Sequence, residues 1–383
     1  MAKADTSVKW FHSEMADAPA LSGQPGKLID LLDACLINGF STRTPDGVVV
    51  ADGVATVSIS AGNPYEKHAV VAISGASDAA LNSEWRIDTA GATSFTFLCP
   101  GVSNGTASGS SVKRAGAGWG KPFSDTMVAA YQSLDPSSTQ LYLRVDDSTT
   151  WYADVRICET MTSVSEFANE SPLLASISRW RKSSLSDASS RVWTIVSTSK
   201  GFFYCPNILT SDVNGRCLFF AGDFVSPLLS DNYNFLLTFY TSTSATGGHY
   251  TNTPLGPARS AGVSSGVVVA RALNQVTRAV ASEYSQAPNA GVSPSPPGNH
   301  VLLPNAKFTL FGQGSLSNGS GGVISLGCRG FVPALYIPNE RVEEFKTERV
   351  FELEGEIFVV IPYNASSGAH GGSSNLISLT DWY

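Results

Sequence analysis

Short runs of β-branched residues, broken at regular intervals by turn residues, occur along most of the chain and limit what it can fold into. Early examples are Val48–Val50, Ala55–Ile59 and Ala69–Ile73, which are bounded by Asp-Gly and Gly-Asn-Pro turn signals. Such runs are typical of strands, and their close spacing is typical of sandwiches and barrels. The sequence therefore predicts a mainly β fold of several β-sandwich or barrel-like units.

A low density of charge separates this chain from an average soluble domain. Asp, Glu, Lys and Arg make up 15% of the 383 residues, against roughly 25% in an ordinary domain. Ser, Thr and Gly take their place, while hydrophobic residues reach 43%, which argues against disorder. Uncharged surfaces of this kind suit permanent subunit contacts.

One short amphipathic helix is predicted near the start, within residues 21–40. Pro25 suits its first turn, and Gly39 is a typical stop signal. Trp10 and Phe11 stand before it. The helix packs either on its own chain or on a neighbour, and we favour its own chain because an apolar stripe needs only one core. The stripe consists of residues at helical spacing: Leu28, Leu31, Leu32, Cys35 and Leu36.

Changes of pattern divide the chain into five predicted parts. Residues 1–40 form an N-terminal segment with the helix, and 41–116 form a small β-sandwich domain. Residues 117–240 form a larger β domain, 241–300 an irregular loop-rich region, and 301–383 C-terminal strands that complete the larger β domain. Because a long irregular stretch usually binds a ligand or reaches a neighbour, 241–300 is a candidate contact region.

Two apolar segments near these boundaries receive specific predictions. Phe235–Tyr240 is continuously apolar and is predicted to be a strand buried on both faces. Val267–Val280 has apolar residues at helical spacing, so we predict a second, weaker helix there.

Two sequence patterns resemble catalytic or phosphate-binding motifs, and in both the surrounding residues disagree. Gly262-Val263-Ser264-Ser265-Gly266 fits G-x-S-x-G, but no strand precedes Ser264 to form a nucleophile elbow. Gly116–Lys121 lacks the first Gly of a phosphate loop, and Pro122 stands where the metal-binding hydroxyl belongs. Loop structure explains both patterns better, so neither Ser264 nor Lys121 is predicted to be a functional residue.

No arrangement of titratable residues predicts a catalytic, cofactor or metal site. The acidic pairs Asp146-Asp147 and Glu343-Glu344 are predicted to be turn or solvated-face residues, since adjacent side chains on a strand point apart. The histidines lie far apart and outside ligand spacing, so we expect exposed loop positions for them. They are His12, His68, His249, His300 and His370.

The positions of the cysteine and tryptophan residues also indicate structural roles. The cysteines form no C-x-x-C pair, and we expect buried free thiols in a reducing compartment. Trp119, Trp151 and Trp180 could form a glycan-binding surface, but packing in a core or interface is the better explanation for each. The cysteines are Cys35, Cys99, Cys158, Cys205, Cys217 and Cys328.

The net charge of −7, without clustered Lys and Arg, argues against nucleic acid as a partner. No continuous apolar stretch is long enough for a membrane span, and the first residues lack an apolar secretion segment. We therefore expect a protein made in the cytosol whose partners are other proteins.

Several blocks of sequence resemble a family of uncharacterised tailed-bacteriophage virion proteins. The resemblance covers most of the chain, is strongest in 8–225 and is weaker from 240 to 320, and residues 241–300 follow the family's pattern poorly. Members are encoded among tail and baseplate genes, which implies a structural virion component and carries over no catalytic residue. The blocks include Val8–Met15, Ala18–Gly23, Leu28–Phe40, Ala80–Arg86, Ala117–Ser124, Leu141–Asp147, Glu159–Thr162, Arg179–Ser183, Gly222-Asp223 and Arg329–Phe331.

From the residues and this resemblance we expect a structural component of a tailed-phage virion. It would be a tail, tail-tip, baseplate or head-to-tail subunit that forms a symmetric homo-oligomer and contacts other tail or head-to-tail proteins. Its location would be the virion, assembled in the bacterial host cytoplasm. A receptor- or glycan-binding tail-tip module and a capsid decoration protein are the alternatives. We predict no enzyme and no cofactor.

Overall fold

The computed structural model describes the N-terminal half almost completely and the C-terminal half in pieces. Strands take up nearly half of the described residues and helices only 6%, with one helical segment near the start, so the predicted mainly β fold is confirmed. The described residues are 2–209, 216–225, 231–241, 265–271, 284–285, 309–311, 316–317, 323–324, 328–336, 350–353, 355–363, 373–380 and 382–383.

The predicted helix is present and packs on its own chain. Strand β1 (Lys9–His12) is followed by helix α1 (Lys27–Leu32), which continues as a π-helical segment (Asp33–Asn38). Gly39 ends it with a φ of 68°, as the sequence predicts. Its apolar stripe is buried in the same core as Trp10 and Phe11 of β1. The segment before residue 40 is therefore part of the larger sheet's core.

Residues 40–114 form an eight-stranded antiparallel sheet that closes around a core of its own, with a 3₁₀ turn at Ala79–Leu81. The spatial order of its strands is β2-β9-β5-β6-β7-β4-β3-β8. Their bounds are β2 (Phe40–Arg43), β3 (Gly47–Ala51), β4 (Val54–Ser58), β5 (Val70–Ser74), β6 (Glu84–Ala90), β7 (Ser94–Leu98), β8 (Gly105–Ala107) and β9 (Ser111–Arg114).

A register shift between Ile87 and Thr89 divides β6, so one half pairs with β5 and the other with β7. Both halves of the sheet send alternate residues into one core, where Trp85 stacks on Phe97 at 4.8 Å between ring centroids. Such alternation follows from the two-residue period of a strand. We call this unit the small sandwich.

The larger sheet contains eleven strands in the described part of the chain. Its path runs β1-β17-β18-β19-β20-β16-β13-β12-β11-β10, with β21 on β20, and the short pair β14–β15 lies beside it. The bounds are β10 (Trp119–Asp125), β11 (Val128–Ser133), β12 (Tyr142–Asp146), β13 (Tyr152–Cys158), β14 (Thr160–Met161), β15 (Phe167–Ala168), β16 (Arg179–Arg181), β17 (Trp193–Ser197), β18 (Gly201–Pro206), β19 (Phe219–Asp223), β20 (Phe235–Tyr240) and β21 (Ser265–Val269).

The two apolar segments singled out in the sequence differ in outcome. All six residues of Phe235–Tyr240 are buried in β20, as predicted. The helix predicted from Val267 is wrong where it can be compared, because Val267–Val269 belong to β21 and pair with β20. A short apolar run satisfies helix and strand periodicity alike, and pairing with a buried strand decides between them. Residues 272–280 lie outside the described part.

The described C-terminal residues form smaller sheets. A four-stranded sheet, β27-β30-β29-β28, places Val359, Ile361 and Ile377 in the core of the larger sheet. The other two sheets are the three-stranded β22-β23-β26 and the two-stranded β24-β25. The bounds are β22 (Tyr284–Ser285), β23 (Thr309–Phe311), β24 (Leu316–Ser317), β25 (Val323–Ile324), β26 (Cys328–Phe331), β27 (Leu335–Tyr336), β28 (Val350–Leu353), β29 (Glu356–Tyr363) and β30 (Ser373–Ser378).

Arg86 joins the small sandwich to two distant segments. The residue is 7% exposed, and its guanidinium donates to the carbonyl oxygens of Asp5, Val8, His68 and Leu379 at 2.6–3.2 Å. A charged group out of water needs such partners, and four carbonyls supply them. Burial lowers the pKa of Arg86 from its ordinary value.

Strand β10 forms one edge of the larger sheet and is irregular. Its register with β11 shifts between Gly120 and Phe123, and Pro122 lies within the shift. A proline cannot donate to a further strand, and a bulge interrupts the hydrogen-bonding edge. This edge is therefore poorly suited to pairing with a strand of another molecule.

The described cysteines agree with the sequence analysis. Cys35, Cys99, Cys158, Cys205 and Cys217 are free and buried, and the side chain of Cys328 lies outside the described set. The proposed domain boundaries at 40, 116, 240 and 300 stay a prediction.

Gly39 provides a test of the junction between the helix and the small sandwich. A Cβ at this position would lie 1.9 Å from the Arg114 carbonyl oxygen, in addition to the cost of φ +68°. We expect Gly39→Ala to lower the free energy of unfolding by about 3 kcal/mol or more. Gly101→Ala is the control, because Gly101 has φ +84° with no atom within 4 Å. Equal losses in urea unfolding would contradict the steric explanation.

Candidate assembly surface

Several sequence candidates lie outside the described residues. These are Ser264 of the G-x-S-x-G pattern, three of the histidines and one acidic pair, and their predictions stay untested. The histidines are His249, His300 and His370, and the pair is Glu343-Glu344. Lys121 of the Gly116–Lys121 pattern lies in strand β10, where its ammonium binds Asp33 at the start of the π-helical segment.

His12 contradicts the prediction of an exposed loop position. It lies in β1, is 4% exposed, and stacks on Trp10 at 5.2 Å between ring centroids. Its Nε2 is 3.0 Å from Glu66 of the small sandwich. His68 is also largely buried, and its Nε2 is 2.9 Å from Glu352. The prediction failed because contacts with residues far away in the sequence decide whether a histidine is buried.

Asp147 contradicts the prediction of a solvated turn residue. Its side chain is fully buried and pairs with the equally buried ammonium of Lys182. Its Oδ2 accepts the backbone N–H groups of Leu28 at 2.7 Å and Ile29 at 3.3 Å. Since Gly26 at the N-cap has no side chain, Asp147 caps helix α1 from a distant strand end. Its neighbour Asp146 is half-buried.

The ionisation of this pair reflects its burial. Loss of water raises the pKa of Asp147 from 3.8 to about 6, although Lys182 and the two amides act in the opposite direction. Burial likewise lowers the pKa of Lys182. A perturbed pair of this kind can mark a catalytic centre. Here the hydrogen bonds of the pair lead to the helix and to neighbouring loops, which is a structural arrangement.

Asp223 is a second buried carboxylate that the sequence analysis missed. It is 4% exposed and accepts the N–H of Thr139 at 2.9 Å and its hydroxyl at 2.6 Å. Burial raises the pKa of Asp223 from 3.8 to about 6. No local sequence signal marks it, since its environment is formed by Thr139, far away in the chain.

The three tryptophans considered for glycan binding have different environments. Trp119 and Trp180 are 1% and 0% exposed and belong to the core of the larger sheet. They cannot present a ring to a ligand. Trp151 is partly exposed and has a positive φ of 52°. It remains a candidate.

The described residues contain neither a metal-binding cluster nor a membrane-spanning helix. Among the described residues, no group of three or more His, Cys, Asp and Glu side chains could hold a metal ion. No helix in the described part of the chain is long and apolar enough to cross a membrane.

The outer face of the small sandwich is the most distinctive described surface. Strands β3, β4 and β7 bury alternate residues such as Val48, Val57 and Phe97 and direct the others outward. None of the outward side chains is charged. We call this surface the uncharged face, and it consists of Gly47, Val49, Ala51, Val54, Thr56, Ser58, Ser94, Thr96 and Leu98, extended by Thr106 on β8 and Thr89 on β6.

The uncharged face is ordered in rows across the strands. Thr106, Val49, Thr56, Thr96 and Thr89 follow one another as direct cross-strand partners. The hydroxyls of Thr89 and Thr96 are 2.6 Å apart and hydrogen-bonded. β-branched side chains have few rotamers, so such a row is stiff.

This arrangement is suited to protein contacts. Val49 is 48% exposed and lies between Thr106 and Thr56, whose side chains present methyl and hydroxyl groups. Burying such a surface requires no charged group to be desolvated, which removes a major cost of association. No aromatic ring or cation stands among its residues, so it offers little to a sugar ring or a phosphate.

Comparisons with known proteins identify no family for this chain. No protein-family model matches the chain, and no curated protein sequence matches it. Among solved structures, the chain is similar to one described as a phage phi92 endosialidase, with 10% identity over 88% of this chain and 70% of that chain. The TM-score of 0.19 is too low to carry an argument about this protein.

Removal of the Asp147 carboxylate tests its role at the helix. Asp147→Ala leaves the Lys182 ammonium buried without its counter-ion, and we expect a loss of about 3–5 kcal/mol in unfolding free energy. Asp146→Ala is the matched control and should cost less than about 1 kcal/mol. Urea unfolding followed by circular dichroism measures both. Similar losses for the two variants would contradict the assigned role.

The raised pKa of Asp223 predicts a pH dependence. The protonated carboxyl is favoured in the folded chain, so its stabilising contribution is complete below about pH 3.8 and is lost as pH rises through 6. The difference in unfolding free energy between wild type and Asp223→Asn should therefore fall by about 3 kcal/mol from pH 3.5 to pH 7. A difference that does not change with pH would refute this.

Proposed function

We propose that the chain is a structural component of a tailed-bacteriophage virion that acts by assembling with copies of itself. The observation that carries the proposal is the uncharged face, where three neighbouring strands present Val, Thr, Ser and Ala side chains to solvent. An uncharged face of this kind suits a subunit contact, because charged residues are depleted at the core of protein interfaces. The sequence blocks that resemble phage virion proteins support the same role.

The location within the virion is part of the proposal. We place the subunit in the tail, the tail tip and baseplate, or the head-to-tail region, and we infer contacts with other tail or head-to-tail proteins. Neither nucleic acid nor a membrane is a proposed partner. A capsid decoration protein is the alternative that binds shells in place of tails, and co-sedimentation with purified shells or tails distinguishes the two.

The proposal includes no enzymatic activity. Ser264 is the one nucleophile that a sequence pattern singles out, and its context does not fit an elbow. An esterase activity of the purified chain that disappeared in Ser264→Ala would overturn this part of the proposal.

Trp151 supports a second candidate function, a receptor- or glycan-binding module. Its ring contacts Tyr152 at 4.4 Å between centroids, and the Arg179 guanidinium lies 3.8 Å from the Tyr152 ring. A bulky residue at positive φ is a strained conformation that structures keep for a reason. Loss of host attachment in Trp151→Ala, with the oligomer intact, would favour this candidate.

The mass of the purified chain in solution tests the main proposal. We expect light scattering to give a closed oligomer for the wild type and a smaller species for Val49→Glu, because a buried unpaired carboxylate opposes association. Ala188→Glu, at an exposed loop position, adds the same charge elsewhere and should leave the mass unchanged. A wild type that stays monomeric at high concentration would remove self-assembly as the mechanism.

A further inference from the structure

A loop that connects β15 to β16 presents two adjacent leucines to solvent. Leu173 is 50% exposed and Leu174 is 58% exposed, and they are the only sequence neighbours among the exposed large hydrophobic residues of the described chain. We call residues 172–176 the leucine loop. Isolated exposed leucines are common on surfaces, whereas an adjacent pair at a loop tip is a candidate contact.

A buried arginine holds the backbone of the leucine loop. Arg156 on β13 is 4% exposed, and its guanidinium donates to the carbonyl oxygens of Pro172 at 3.1 Å, Leu173 at 2.5 Å and Leu174 at 3.0 Å. A fourth bond, at 3.1 Å, goes to Ser176. One side chain from the sheet thus fixes four carbonyl oxygens of a five-residue segment.

Removal of the Arg156 guanidinium from water opposes this arrangement. Burial lowers the pKa of Arg156 from its ordinary value, and its Nε is buried without a hydrogen-bond partner among the described residues. Residues on the surface rarely need such support. What the chain gains is a leucine pair whose backbone is already ordered, so that binding does not have to order it.

The leucine loop and the uncharged face have matching chemistry. The loop tip consists of Leu173, Leu174 and Ala175, all uncharged, and the face offers Val49, Val54 and Leu98 among its hydroxyl-bearing neighbours. Leu173, Leu174 and Val49 are all exposed, so the loop does not cover the face within one chain. The face therefore remains open to the loop of another copy.

We propose that the leucine loop of one subunit docks on the uncharged face of the next copy of this chain. This inference rests on the proposed function and names both halves of the subunit contact. Because the two surfaces are different, the contact is head-to-tail, and repetition of it closes into a ring when the rotation between neighbours allows.

A mixing experiment tests the pairing. Leu173→Ser/Leu174→Ser removes the loop's apolar tip but keeps the uncharged face, and Val49→Glu does the reverse. Each variant alone should be monomeric by light scattering, with a dissociation constant raised at least tenfold. A 1:1 mixture should form dimers and nothing larger, because one intact contact remains between the two variants. Leu185→Ser, which changes a leucine that is 54% exposed on another loop, should assemble like the wild type.

The outcomes separate the two proposals. A monomeric wild type overturns both self-assembly and the docking inference. A wild-type oligomer that survives the double serine change, or two monomeric variants that fail to pair, overturns the docking inference and leaves self-assembly in place. Circular dichroism and melting temperature confirm that each variant is folded. Binding of the wild type to phosphatidylcholine vesicles through Leu173 and Leu174, without self-association, would assign the loop to a lipid surface and overturn the inference.

Discussion

The buried pair of Lys182 and Asp147 connects the N-terminal helix to the larger sheet. The Lys182 ammonium donates to Asp147 and to the carbonyl oxygens of Gln24 and Thr149, at 2.8 Å and 3.0 Å for the two carbonyls. The other oxygen of Asp147 caps the helix. At the other end of this helical segment, the carbonyl oxygens of Cys35 and Leu36 accept hydrogen bonds from the backbone amides of Ala117 and Gly118. The junction between the two β units is built on this helix.

The charged residues of the small sandwich are unevenly distributed, which explains how one of its faces can carry no charged side chain. Its contacts with the rest of the chain use Lys9 with Glu84, His12 with Glu66, and Lys67 with Glu352. Strands β3, β4 and β7 carry no charge at all. These charged residues lie where segments of the chain meet, and the uncharged face is left for a partner.

Local patterns in the sequence predicted the elements whose burial follows from their own periodicity. The alternation in Val48–Val50 and the helical stripe from Leu28 to Leu36 are examples, because neighbours along the chain determine which side faces inward. Asp147, His12 and Asp223 could not be predicted in this way. Their partners are Lys182, Glu66 and Thr139, and only the fold brings these residues together.

The surfaces proposed for assembly were only partly predictable. Low charge in the sequence indicated uncharged surface in general, but the rows around Thr56 and Thr96 exist only once the strand register is known. The leucine loop follows no periodic pattern, and its order depends on Arg156, which lies on another strand. Propensity and pattern describe single elements, whereas a contact surface is a property of several elements in register.

Arg86 makes the two largest hydrophobic cores of the described residues depend on each other. A single guanidinium is shared by carbonyl oxygens from the N-terminal segment, the small sandwich and the C-terminal sheet. Detachment of any one segment deprives a buried cation of part of its hydrogen bonding, which weakens its hold on the others. The free energy of opening is therefore shared across the sheets. We therefore expect heat or denaturant to unfold these segments together, although the described residues form more than one hydrophobic core.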